Sequence, residues 1–397
     1  MKKAPEKRLE IALPMEASAL RRRIAYFGTF ELQEGYPRNR FLIRALEAAG
    51  VEVVVCQRTL WRRGERAERP VRSLLLTAPK LISAQRSLAK ELEKAGHLDA
   101  IVVGYPGHFD LPLAKRLARR RRIPLIFDAF LPLTQTLEDR GRVREGTWVE
   151  KLIRSGESRL LRRADHVLID TEAHADYLAK ALRLDRGHVT ALPVGSVLPI
   201  TRDDAERPPG SKTGDLAALF VGTYVPLQGA ATIVEAAALL RGSGISFTMV
   251  GKGQDYEGVR RLADELRAPV TFLPDWVSET TLDRWIRGAD VSLGIFGTTA
   301  KAGRVVPCKI YDALARSRPV LTADSPAIRE LLVPGESVGV VPAGDASALA
   351  RLLRHWAESP DVRQRIARGG AKVHEKALTK DEIGRRFREL IDGHVRR

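Results

Sequence analysis

Cysteine is nearly absent. Cys56 and Cys308 are the only two in 397 residues, and neither belongs to a CxxC or Cys/His cluster. That excludes a disulfide scaffold and a structural zinc site of ordinary spacing, and makes a reducing cytoplasm the simplest setting. Aromatic residues make up 6% of the chain, and no helix-turn-helix, RRM or zinc-finger signature accompanies its basic runs, so nucleic acid is a disfavoured partner. Long apolar runs are lacking as well: each is broken by Arg, Lys, Asp or Glu before the roughly 18 residues that a membrane span needs. The opening MKKAPEKRLEIALPMEASAL starts basic, but Glu10 and Glu16 interrupt what would be the apolar core of a signal peptide, so the segment is expected to be retained. A dinucleotide fingerprint is also missing. GTFELQEG follows the first strand-like run, and GKGQDYEG (251–258) misplaces the third glycine of GxGxxG, which disfavours an NAD enzyme but not a nucleoside diphosphate in the same kind of loop.

What is present is positive charge, unevenly spread. The chain carries 66 Lys+Arg against 49 Asp+Glu, a net +17. Residues 1–200 hold 37 basic against 24 acidic residues (+13), 201–350 hold 16 against 18 (−2), and 351–397 hold 13 against 7 (+6). Runs such as Arg119–Arg122 read either as solvated surface or as attraction to an anionic surface, of which acidic lipid fits better than nucleic acid.

At about 100–200 residues per domain, this length implies two domains. Short apolar runs alternate with helical patterns throughout. In the first half they are RIAYFG (23–28), VEVVVCQ (51–57), DAIVVGYP (99–106), IPLIFDAF (123–130), DHVLIDT (165–171) and VTALPV (189–194). Between the first two, PRNRFLIRALEAAG (37–50) places Phe41, Leu42, Ala45, Leu46 and Ala49 on one helical face. The stretch 194–215, rich in Pro, Gly and charge, reads as a linker, after which the pattern restarts with LAALFVG, ISFTMVG, PVTFLPD, DVSLGIFG, RPVLTAD and VGVVPAG. Two doubly wound α/β halves of six parallel strands each are expected, with helices alone from Ala346 onward. Ligands of such sheets bind where strands end and helices begin. Gly28, Gly35, Gly104, Gly107, Gly222, Gly251, Gly253 and Gly297 cluster at that edge, which fits either plain turn geometry or close approach to a ligand.

The second half resembles the nucleotide-binding domain of glycosyltransferase family 4, retaining enzymes of the GT-B architecture. The resemblance rests on FVGTYVPLQGAATIVEAAALL (220–240), FTMVGKGQDYEGVRRLA (247–263), FLPDWVSETTLDRWIRGADVSLGIFG (272–297) and VVPCKIYDALARSRPVLTADSPAIRELL (305–332). GTFELQEGYPRNRFLIRAL (28–46) and ADHVLIDTEAH (164–174) agree more loosely in the first half. It implies a Rossmann-like acceptor domain over 1–197, a nucleotide-sugar domain over 198–375, and a final helix over 376–397 packing back on the first domain. It also implies transfer of a sugar from a nucleotide diphosphate sugar to an envelope glycan, polysaccharide or lipid-linked acceptor, at the inner face of the cell membrane.

The family's donor motif is Glu, seven residues, then Glu, of which the second usually holds the ribose hydroxyls. Asp312 stands at that second position and Arg304 at the first. The basic pair that usually grips the diphosphate appears as Thr223 and Gln228, so Lys301, Arg304 and Lys309, close in sequence, are expected to take over part of its neutralisation, unless they are solvated loop charges. Gly35, Gly222, Gly251 and Gly253 complete the phosphate loops, and Trp276 with Val277 stands where the nucleobase usually rests. No cofactor or metal is expected, since the chain has no DxD at a strand end and no His/carboxylate cluster of ligand spacing. Gly104 occupies the place of the family's usual first-domain His. His108 is the nearest substitute, and with Asp128 and Arg304 it forms the expected catalytic set. Glu31, Arg38, Asp139 and Arg140 are expected to face the acceptor side. Alternatives are an inactive family member that binds a partner, a nucleotide-sugar 2-epimerase, which should show more His and carboxylates in the donor half, and a two-lobed solute-binding protein, which would need export.

Overall fold

The computed structural model describes residues 22–60, 73–275 and 277–395. The first half builds a six-stranded parallel sheet from β1 (Arg23–Gly28), β2 (Glu52–Gln57), β3 (Ala100–Val103), β4 (Leu125–Asp128), β5 (His166–Ile169) and β6 (Val189–Ala191), in the order β2-β1-β3-β4-β5-β6. Its helices are α1 (Pro37–Ala48), α2 (Ser73–Lys94), α3 (Leu111–Arg121), α4 (Leu133–Asp139), α5 (Trp148–Leu161) and α6 (Glu172–Leu182). The second half repeats the plan with β7 (Leu216–Val221), β8 (Ile245–Val250), β9 (Val270–Leu273), β10 (Val291–Leu293), β11 (Val320–Ala323) and β12 (Gly339–Val341), ordered β12-β11-β10-β7-β8-β9. Around it lie α7 (Ala230–Leu239), α8 (Tyr256–Glu265), α9 (Glu279–Gly288), α10 (Cys308–Leu314) and α11 (Pro326–Leu331), followed by α12 (Ala346–Glu358), α13 (Pro360–Ala377) and α14 (Lys380–Val395).

The strands are continuous β-branched and aliphatic runs because helices cover both faces of each sheet; β3, β4 and β5 are buried at every position. Helix starts are set by side chains that accept from the first free amides: Thr147 from Glu150, Thr171 from His174, Ser278 from Thr281 and Asp345 from Ala348. On α1 the buried face includes Phe41, Leu42, Ala45 and Leu46, while Ala49 is half-buried at the cap.

Strand order reverses between β1 and β3 in one sheet and between β7 and β10 in the other, creating the crevice in which doubly wound sheets take ligands. Among the links that join the domains around this cleft, Arg40 of α1 forks onto Glu279 of α9 at 2.5 and 2.9 Å, Lys301 pairs with Asp139, and the Gln254 amide donates to the Asp139 carbonyl at 3.3 Å. The chain ends on the first domain, where Ile383, Phe387 and Ile391 of α14 are fully buried in one cluster with Ile24, Phe41 and Leu42. No helix among the described residues is long and apolar enough to cross a membrane.

Candidate active site

The donor side expected from the sequence lies where β7, β8 and β10 end. Gly251, at φ +119°, lies so close to the β7 loop that a Cβ there would stand 2.1 Å from the Gly222 carbonyl oxygen, and one on Gly253 would stand 2.4 Å from that of Tyr224. The two loops nest only because both residues are glycine. Above Gly222 lies Lys309, from the first turn of α10. Its ammonium donates to Gln228 Oε1 at 2.5 Å and to the Gly294 carbonyl at 3.3 Å, and lies 3.6 Å from the Phe220 ring centroid. Burial holds that ammonium well below the ordinary lysine value. Gln228, where the resemblance places a cation, therefore accepts from one, and Thr223 is exposed beside it.

One helical turn beyond Lys309, Asp312 Oδ1 accepts from Ser196 Oγ at 2.6 Å, and burial pushes its carboxyl up to about 6. Val277 packs beside the cluster of Leu219, Val250 and Trp285. Trp276, expected to stack on a base, lies outside the described residues.

The three cations expected to share the diphosphate do not share a site. Lys301 is buried and bonded to Asp139. Arg304 stacks over Tyr177 of α6, 3.7 Å from the ring centroid, and its carbonyl accepts from Thr171. Their short loop runs along the domain interface, so these side chains meet the first domain's partners, whereas Lys309, on the helix that follows, turns inward to the β7 loop. Arg304 Nε is buried without a hydrogen bond.

In the first domain a cavity of about 240 Å³ is lined by Glu31, Gly35, Arg38, Tyr105, Phe130 and Arg140 among others. The structure thus collects four residues singled out in the sequence, Glu31, Gly35, Arg38 and Arg140, around one space. Two other expectations need correction. Asp128 is fully buried and locked to Arg38 by a fork, Nη2–Oδ1 2.8 Å and Nε–Oδ2 3.0 Å, while Arg38 Nη1 donates to the Leu192 carbonyl at 2.7 Å. Burial lifts the Asp128 carboxyl and Arg38 restrains it. The pair ties the end of β4 to α1 and to the segment just after β6, so Asp128 faces its partner and not the cleft. His108 is 2% exposed, edge-on to Phe127 at 5.0 Å with Nε2 3.5 Å from Glu157. Glu157 accepts from the Leu133 and Thr134 amides at 2.5 and 3.0 Å and from Thr134 Oγ1 at 2.6 Å, so His108 joins a buried network that fixes the start of α4 instead of facing a sugar.

Several working residues escaped the sequence. Asp110 accepts from the Thr29 amide and hydroxyl, both at 2.7 Å, and holds the loop after β1. Asp283 binds Arg316 at 2.7 Å, and Arg316 donates to the Leu198 and Pro199 carbonyls, both at 3.1 Å. An Asp or Arg at a buried helix position is the one available signal for such pairs, and it names no partner.

Residues 37–195 match the family model described as a glycosyl transferase 4-like domain, and residues 216–359 that described as glycosyl transferases group 1. A D-inositol 3-phosphate glycosyltransferase of Mycolicibacterium smegmatis is 28% identical over 62% of this chain and 61% of its own length, and one from Nocardia farcinica 30% identical over 62% and 59%. A phosphatidyl-myo-inositol mannosyltransferase of Mycobacterium leprae is 29% identical over 39% of this chain and 41% of its own. The matches thus span about three fifths of those inositol phosphate relatives or less. Anabaena HepE in complex with UDP covers 94% of this chain and 100% of its own at TM-score 0.66 and 14% identity, and sucrose-phosphate synthase from Thermosynechococcus elongatus covers 94% and 99% at 0.70 and 18%. These two share the fold.

Proposed function

The chain belongs to the family 4 glycosyltransferases, built on the GT-B plan, and from that membership we propose a retaining transferase that takes its sugar from a nucleoside diphosphate sugar. The bond from the anomeric carbon to the β-phosphate oxygen breaks, a bond to an acceptor hydroxyl oxygen forms, and the products are the glycoside, the nucleoside diphosphate and the proton the hydroxyl gives up. The observation that carries this proposal is Lys309, whose half-buried amine hydrogen-bonds neutral oxygens of Gln228 after β7 and of Gly294 after β10. As negative charge gathers on the leaving diphosphate, an amine there that the phosphates draw into its charged form stabilises the transition state more than the ground state. Asp312, one turn away, would accept the ribose hydroxyls, and Gly222, Gly251 and Gly253 would leave room for the phosphates. No metal enters the proposal.

Inositol phosphate and phosphatidylinositol, named for the relatives above, suggest an acceptor hydroxyl carried beside a phosphate or on a lipid headgroup, and Arg140 in the first-domain cavity suits such an anion. Calorimetric titration with UDP and with GDP tests the donor site. Asp312→Ala should weaken the nucleotide that binds by about 1.5–3 kcal/mol, one to two hydrogen bonds to a charged group, and EDTA should change nothing. Unchanged affinity in Asp312→Ala would remove that residue from the site.

A further inference from the structure

Helix α5 carries an outer face that the transfer reaction does not use. Trp148, Val149 and Leu152 are 75%, 37% and 61% exposed, a concentration of large apolar side chains on the first two turns. Continuing along the same face come Ser155 and Arg159, flanked by Lys151 and Arg162, all exposed. Both acids of the helix, Glu150 and Glu157, turn inward and are buried, at 3% and 1% exposure. The outward stripe therefore has an apolar half and a basic half with no carboxylate. A groove beside it, lined by Lys151, Arg159, Arg162, Lys180 and Arg183 together with Glu150-paired Arg154, extends the basic half onto α6.

Placement strengthens the case. Glu157 meets the start of α4 at the sheet edge. Trp148 stands nine residues earlier on the helix, about 13 Å further along its axis, on the side where α4 ends in Asp139 and cavity-lining Arg140.

We propose that this face of α5 docks on an anionic phospholipid surface. Trp148 and Leu152 enter the headgroup layer while Lys151, Arg159 and Arg162 lie against lipid phosphates. An amphipathic helix with an aromatic anchor and a cationic flank is suited to lie in that interface. The inference rests on the transferase proposal only in making the membrane the place where the acceptor is met. It also separates this face from Arg119–Arg122, at the far end of α3, where the strands begin rather than end.

The test is cosedimentation of the full chain with vesicles of phosphatidylcholine alone or mixed with phosphatidylglycerol. Wild type should bind only the mixed vesicles and release as salt rises from about 0.05 to 0.5 M. Trp148→Ala with Leu152→Ala, and separately Lys151→Glu with Arg159→Glu, should each lower the partition coefficient at least about tenfold. Arg119→Glu with Arg120→Glu should stay within about twofold of wild type. Wild-type binding by both α5 variants, or an equal loss in the α3 variant, overturns the assignment. So does a wild type that ignores vesicles and forms a dimer dispersed by Trp148→Ala. UDP titration of the same preparations keeps the proposals apart: lost docking with intact nucleotide affinity counts against the face alone, and retained docking without nucleotide binding against the transferase reading alone.

Discussion

In the proposed donor site Lys309 and Asp312 lie in different protonation regimes, and both can be tested by pH. Burial depresses the Lys309 ammonium, so an arriving diphosphate should draw a proton onto it. Nucleoside diphosphate binding should then take up protons, measured as a buffer-dependent calorimetric enthalpy, to an extent that Lys309→Met reduces. The same substitution should cost the diphosphate about 10–100-fold, as expected for charged hydrogen bonds, and the bare nucleoside almost nothing; equal losses for both would remove Lys309 from the phosphates. Asp312 titrates near 6 against an ordinary 3.8. Its ionised form is the hydroxyl acceptor, so affinity should fall as pH drops below about 6 in wild type relative to Asp312→Asn. For stability the sign is opposite: the folded chain keeps a proton between about 4 and 6 that the unfolded chain has released, so this group's contribution falls as pH rises through that window. A motif spacing marks Asp312 in the sequence as the residue proposed for the ribose. His108 could not be read correctly, since its burial depends on Glu157, 49 positions away in sequence and brought near only by packing.

At the scale of elements, the strands and their parallel arrangement were legible because buried parallel strands are apolar at nearly every position and their turns are rich in Gly and Pro. Strand ends were less so: the run 290–297 yields a strand over Val291–Leu293 alone, because after Leu293 the chain parts from β7, although Gly294 and Ile295 still bond to β11. The grouping of Lys301, Arg304 and Lys309 failed for a related reason. Nearness along the chain did not reveal that a short 3-10 turn over Ala302–Arg304 and the start of α10 send these side chains to different neighbours. The closing helix gives a direct test of element packing. Gly384 of α14 crosses α1 so closely that a Cβ would stand 1.9 Å from the Ala45 carbonyl oxygen, and Phe387 beside it is fully buried. Phe387→Ala should lower stability by about 3–5 kcal/mol in urea unfolding, and a loss below about 1 kcal/mol would mean α14 contributes little core.

For the whole molecule, two domains bridged by contacts that include Arg40–Glu279 and Lys301–Asp139 enclose a cleft with Lys309 on one side and a small cavity on the other. Lys301 and Asp139 were read from the sequence as belonging to opposite walls, and the structure shows them bonded to each other. Substrates must therefore enter around this contact or part it, and Asp139→Asn should raise KM more than it lowers kcat if the contact orders the cleft only after binding. The central claim is sugar transfer from a nucleoside diphosphate, and its most direct measurement is release of UDP, GDP or dTDP from a panel of their sugar conjugates, with inositol phosphate and phosphatidylinositol vesicles as acceptors. The account predicts release from at least one donor, accelerated by acceptor, unaffected by EDTA and at least about tenfold slower in Lys309→Ala. Release from no donor, by a chain that also binds no nucleotide, would contradict it.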